Sequence, residues 1–131
     1  MTGKLRFDSP DAVHPPLGPY SHTVVVPPGA GLVFVSGQIG VRPDGTVGST
    51  IEEQADQAFA NVVALLGAHA LDVASVVKLT VFIVAGIDAE AVRLARLKHF
   101  ASARPTSTTV YVAQLLRPEW LIEVEAVAAT S

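Results

Sequence analysis

Two rhythms of apolar residues run through the chain. From Thr50 onward Ile51, Ala55, Ala58, Phe59, Val62, Val63 and Leu66 fall on one side of a 3.6-residue repeat, which predicts an amphipathic helix running on towards Ala70. Thr50 with Glu53 three residues later is a capping box, so the start of this helix is written in side-chain chemistry. A second helix is predicted from an Asp88 cap to about Ser102, with Val92, Ala95 and Phe100 on its apolar side. The other rhythm has period two. It marks strands at 22–26, 32–38 and 76–84, and again in two late runs, from Arg104 to Ala113 and over 121–128, with a short edge strand at 4–7. Pro27-Pro28-Gly29-Ala30-Gly31 between the second and third strands reads as the turn of a β-hairpin. Pro105 biases Arg104 away from helical angles, so the first late strand is entered as extended chain.

This order, three strands, a helix, a strand, a helix and two strands, argues for an α/β (α+β) domain with a mixed sheet and two helices on one face. Crossovers of a single hand return to the same side. Val24, Val26, Val33, Val35, Val81, Ile83, Val110, Val112, Ile122 and Val124 supply more apolar strand surface than two helices can hide. Sheet faces of separate subunits are therefore expected to pack together, which predicts a ring or barrel-like oligomer.

Composition narrows the picture. The 131 residues make one domain, 1–131, because chains of about 100 to 150 residues are commonly served by a single core. Half are apolar and only 16% charged, which again points to surface buried between subunits. Nine basic and 12 acidic residues give a formal charge of −3 without a basic run, so no phosphate-binding footprint for nucleic acid is present. The absence of cysteine excludes disulfides, thiolate metal sites and a thiol nucleophile. No apolar stretch is long enough for a membrane span or a signal peptide, and a cytoplasmic protein is expected.

Polar residues on the late strands carry the candidate chemistry. Glu123 and Glu125 lie two apart and so share one face of an otherwise apolar strand. Ser107, Thr108 and Thr109 are either ordinary β-formers or a neutral hydrogen-bonding pocket that would prefer uncharged ligands. Tyr20 follows the stiff segment containing Pro10, Pro15, Pro16, Gly18 and Pro19, which can present a side chain at a fixed place. His14, His22, His69 and His99 lack metal-ligand spacing, so no metal is expected. Trp120 and Phe59 read as packing residues.

Four motifs, Gly18-Pro19-Tyr20-Ser21, Val35-Ser36-Gly37-Gln38-Ile39, Val76-Val77-Lys78-Leu79-Thr80-Val81-Phe82 and Ile122-Glu123-Val124-Glu125-Ala126-Val127-Ala128, stand in the order of the Rid (reactive intermediate deaminase), or YjgF-like, family. Together they span nearly the whole chain, which resembles that family. The resemblance implies a chorismate-mutase-like fold, a homotrimer around a barrel of sheets, and a small-molecule ligand in a cleft between subunits. It also implies hydrolysis of small imines or enamines, such as 2-aminoacrylate, to the keto acid and ammonia without metal or organic cofactor. Tyr20 matches the tyrosine lining that cleft, Gly37 the glycine whose backbone approaches the ligand, and Glu123 the glutamate that orients the attacking water. Glu125 has no comparable counterpart and reads as structural.

One position departs from the pattern. The family's substrate-clamping arginine follows Pro-Ala, and here the matching run is Pro105-Thr106-Ser107, with Ser107 at the arginine position. A serine hydroxyl cannot neutralise a carboxylate or offer a guanidinium's bidentate fork. Arg93, where the family has a site asparagine, and Arg104 are the two guanidiniums considered as replacements. Three functions follow: a cofactor-free imine or enamine deaminase, a non-catalytic trimer binding a small metabolite in the same cleft, and an endoribonuclease or translation inhibitor, which the acidic balance disfavours.

Overall fold

Two side-chain oxygens start the two helices. Thr50 Oγ1 accepts from the Glu53 amide at 3.2 Å, and Asp88 Oδ1 accepts from the Glu90 amide at 2.9 Å. The computed structural model describes residues 4–130. Its elements are β1 (Arg6–Asp8), β2 (Thr23–Val25), β3 (Leu32–Ile39), α1 (Ile51–Gly67), β4 (Val76–Val84), α2 (Ala89–Phe100), β5 (Thr106–Val112) and β6 (Ile122–Ala129). Four of the strands form one sheet in the order β3-β6-β4-β5. Only the β4–β5 pair, joined through α2, is parallel, so the sheet is mixed as the element order implied.

Both helices cover the same face. Phe59, Val62 and Leu66 of α1 and Val92 and Phe100 of α2 close over Val35, Leu79, Val81, Ile83, Ile122 and Val124, all buried in one cluster. Each large apolar side chain withdrawn from water in this way contributes roughly 1.5–3 kcal/mol. Buried Gln54 ties α1 to two loops: its Nε2 donates to Gly48 O and Glu119 O, each at 2.9 Å, and its Oε1 accepts from the Leu121 amide at 2.8 Å. Gly40 lets α1 lie this close, since a Cβ there would stand 2.6 Å from the Gln54 Cα.

Two expectations need correction. The hairpin between 22–26 and 32–38 does not form: β2 pairs with β1 in a separate two-stranded sheet, with Val24 opposite Phe7, whereas β3 pairs with β6. Partner choice here follows burial. β3 sets Val33 and Val35 beside Ala128 and Ala126, whose small side chains let α1 approach, while β2 has only three residues, two of them exposed. The other correction concerns the apolar surplus. Val33, Val35, Val81, Ile83, Ile122 and Val124 belong to the helix-covered face and are part of the core or packed on it. The opposite face carries Phe34, Phe82 and Val127, with Val110 and Val112 of the expected set, interspersed with Thr80, Thr108, Glu123 and Glu125, as the register dictates. Among the described residues none of the helices packs on it, and Phe34 is 74% exposed. The expected uncovered face exists, but it is half polar.

Candidate functional site

The polar residues of the late strands divide between the two faces of the sheet. Glu123 lies opposite Phe82 on β4 and Ile39 on β3, and thus on the open face. Ser107 and Thr109 lie level with Leu79 and Val81 in the parallel β4–β5 pair, and Leu79 and Val81 are core residues. They therefore face α2 from the sheet's edge strand. Thr108 points the other way, and its hydroxyl accepts from Lys78 Nζ at 2.8 Å.

Gly37 and Glu123 come together on the open face. The β3–β6 register slips between Val35 and Gln38, leaving Ser36 and Gly37 in a bulge. The Glu123 side chain lies across it: a Cβ on Gly37 would stand 2.7 Å from the Glu123 Cδ and would collide with Oε2. Glycine is required here for space and not for an unusual backbone angle. Among the described residues no side chain or amide donates to the Glu123 carboxylate, although Glu123 is half-buried. It sits positioned and unused.

The second cluster occupies a cavity of about 290 Å³ between α2, β4 and β5, lined by Pro19, Val81, Val92, Arg93, Arg96 and Thr109 among others. Arg93 lies on its rim in a two-point ion pair with Glu90, Nε to Oε2 at 2.9 Å and Nη2 to Oε1 at 2.6 Å. The pairing holds the Glu90 carboxyl below and the Arg93 guanidinium above their ordinary pKa values, mainly through these hydrogen bonds. Arg104 is turned elsewhere: its Nη1 donates to the carbonyls of Ala101 and Ala103, and it lines a separate cavity near Phe7 and Phe100.

The guanidinium next to Ser107 belongs to Arg96. Its Nη1 donates to Ser107 Oγ at 2.8 Å and its Nη2 to Pro19 O at 2.7 Å, and the residue is only 8% exposed. The surroundings of Ser107 are therefore cationic, correcting the expectation of a neutral pocket. Burial, and then the like charge of Arg104, pull the Arg96 pKa down. The sequence held a signal for this residue: position 96 is four residues from both Val92 and Phe100, so Arg96 stands on the apolar stripe of α2 and points inward.

Pro19, held by Arg96, and Ser21, whose amide donates to Pro105 O at 3.2 Å, fasten the proline-rich loop across the start of β5. Tyr20 lies between them, half-buried. Its ring is edge-on to His22 at 5.5 Å and its hydroxyl accepts from the Leu17 amide at 3.1 Å. Among the described residues no group of three or more His, Asp or Glu side chains is placed to hold a metal ion.

A mixed sheet with helices on one face only is the architecture to which comparison leads. The family model described as Endoribonuclease L-PSP matches residues 11–130. A 2-iminobutanoate/2-iminopropanoate deaminase of Dermatophagoides farinae is 36% identical over 129 residues, covering 97% of each chain. Among solved structures, a protein of the conserved Rid family from Yersinia pestis superposes with a TM-score of 0.82 at 25% identity, over 96% of this chain and 98% of that one. TdcF of E. coli, solved with bound serine, gives 0.71 at 31% identity over 96% and 99%. The chain belongs to the Rid (YjgF-like) family. No helix among the described residues is long and apolar enough to cross a membrane.

Proposed function

We propose that the protein is a hydrolytic deaminase of small imines or enamines derived from amino acids, acting in a cleft between subunits of a homotrimer. The observation that carries this reading is the Glu123 carboxylate, held over Gly37 with no hydrogen-bond donor among the described residues. A carboxylate so placed can accept a proton from water. The 2-iminobutanoate/2-iminopropanoate deaminase with which this chain shares 36% identity supports the choice of substrate.

In the reaction a water oxygen attacks the imine carbon, the C=N pair moves to nitrogen, and Glu123 takes the water proton. Glu123 then returns a proton to the amine nitrogen. The resulting carbinolamine hydroxyl gives its proton through Glu123 to the nitrogen, and the C–N bond breaks as that oxygen forms the carbonyl, so water enters, ammonia leaves and the 2-oxo acid remains. Thr109, Ser107 and the loop carrying Tyr20 form the other wall of the site. Glu123 and the Thr109 cavity lie on opposite faces of one sheet, so a site using both takes one wall from each of two copies. β5 is the free edge strand beside that cavity, and the open face is the surface that a second copy would cover.

The test generates 2-iminobutanoate in situ and follows its loss. Acceleration by the wild type and its collapse in Glu123→Gln are expected; no acceleration by wild type refutes the reading. Light scattering should return three times the chain mass, and a monomer mass would remove the shared cleft. A second reading, a trimer that binds a small amino-acid-like metabolite without turnover, draws on the serine bound to TdcF. Serine binding without imine hydrolysis would select it.

A further inference from the structure

Arg96 is a buried cation that no anion among the described residues meets. At 8% exposure its guanidinium has five N–H donors, of which one is used on the Ser107 hydroxyl and one on the Pro19 carbonyl. Among the described residues no carboxylate lies within ion-pairing distance of it: the ion pairs present involve Arg42, Arg93, Lys98 and His99. Glu90, the acidic residue of the same cavity, has both oxygens occupied by Arg93. The like charge of Arg104 also acts on Arg96 and repels it. Removing a guanidinium from water is costly unless a counter-charge meets it, and here the described residues supply none. What it supplies instead is an open cavity of about 290 Å³, lined by the same arginine and by Val81, Ile83 and Val92.

We propose that Arg96 is the anion-binding residue of this cavity and receives the carboxylate of a small 2-oxo or 2-imino acid, whose short aliphatic part lies on Val81, Ile83 and Val92. The guanidinium is delivered by α2 to the side of Ser107, and Ser107 with Pro19 fixes its plane, so the serine serves as a positioning residue. This assignment rests on the deaminase reading for the ligand's identity, but not for its charge. Carboxylate recognition by a desolvated, oriented fork favours the charged ligand over its neutral amide.

The experiment titrates the full-length protein with 2-oxobutanoate, the stable product of the proposed reaction, and in parallel with its carboxamide, following both by calorimetry and by amide NMR shifts. Wild type is expected to bind the carboxylate in preference to the amide, with shifts at Val81 and Thr109. Arg96→Met, which keeps an apolar stem, should weaken 2-oxobutanoate roughly 10- to 100-fold while leaving the amide nearly unchanged, a selectivity that general loosening of the fold would not produce. Arg96→Lys, which keeps the charge but loses the fork, should fall between. Circular dichroism and thermal melting establish that each variant is folded. Where Arg96→Met does not fold, the Lys variant carries the test: carboxylate affinity equal to wild type, with Ser107→Ala also unchanged, overturns the proposal. Failure of wild type to prefer the carboxylate, or an unaltered preference in folded Arg96→Met, overturns it as well. Imine turnover separates the two readings. A protein that binds 2-oxobutanoate through Arg96 yet leaves 2-iminobutanoate intact loses the deaminase function and keeps the anion site. One that turns over 2-iminobutanoate with the same KM in Arg96→Met keeps the function and loses the site.

Discussion

Gly37→Ala offers a sharp test of the reasoning about Glu123, because it adds one methyl group and changes no charge. The added Cβ would stand 2.7 Å from Cδ and 2.9 Å from Cγ of Glu123 and would overlap Oε2, so the carboxylate must rotate away by an ångström or more. Gly37 does not need a left-handed backbone, so alanine introduces no strain of its own there. Overpacking costs about 1–3 kcal/mol in a closed core. The obstacle here is a half-buried side chain that can swing outward, so the stability loss should lie at or below the lower end of that range. Catalysis is less forgiving, since a displacement of about 1 Å costs on the order of 100-fold in rate. The assay is a double-mutant cycle on 2-iminobutanoate loss with Gly37→Ala, Glu123→Gln and the pair, each accompanied by a urea melt. If the glycine acts only as the seat of the carboxylate, the pair should be no slower than Glu123→Gln alone. Wild-type turnover in Gly37→Ala, or a further large loss when it is added to Glu123→Gln, refutes that account.

Other perturbations address the scaffold. Gln54→Ala removes three hydrogen bonds of a buried side chain and leaves Gly48 O, Glu119 O and the Leu121 amide without it, so a loss of about 2–4 kcal/mol is expected by urea denaturation; a loss below about 1 kcal/mol would mean that water replaces it. Thr50→Ala deletes the N-cap of α1 and should cost about 0.5–2 kcal/mol, measured the same way. Hydrogen bonds from Lys98 and then His99 hold the Asp56 carboxyl below its ordinary value of 3.8. A depressed pKa stabilises the fold above the unfolded value, and the contribution disappears as pH falls below 3.8 through the folded value. Because Asp56 and Lys98 are well exposed, Asp56→Asn should cost no more than about 1 kcal/mol at pH 7. Its stability curve should meet that of wild type in acid, and a gap that persists there would contradict the assignment.

The elements that local chemistry specifies were legible in the sequence: the capped helices, the alternating β4 and β6, and the two carboxylates sharing a face. Partner choice was not. Nothing within 22–38 says that β3 prefers the alanines of β6, almost a hundred residues away, to the adjacent β2, because that preference comes from how closely α1 can approach the finished sheet. Arg96 was obscured for a related reason. The helical phase shared with Val92 and Phe100 turns Arg96 inward, but what each arginine meets is set by the packing of α2 against β4 and β5: Arg93 pairs with Glu90, Arg104 bonds carbonyls at the helix end, and Arg96 is buried beside Ser107.

The contact between Arg96 and Ser107 also constrains the order in which these two positions can change. Placing arginine at 107 while Arg96 remains would bring two guanidiniums together where one hydrogen bond of 2.8 Å now fits, and removing Arg96 first would leave in the cavity only Arg93, whose charge is taken up by Glu90. Moving the charge from the helix to the strand therefore calls for both positions to change together. Relatives are then better sorted by where the guanidinium ends in space than by which alignment column carries it.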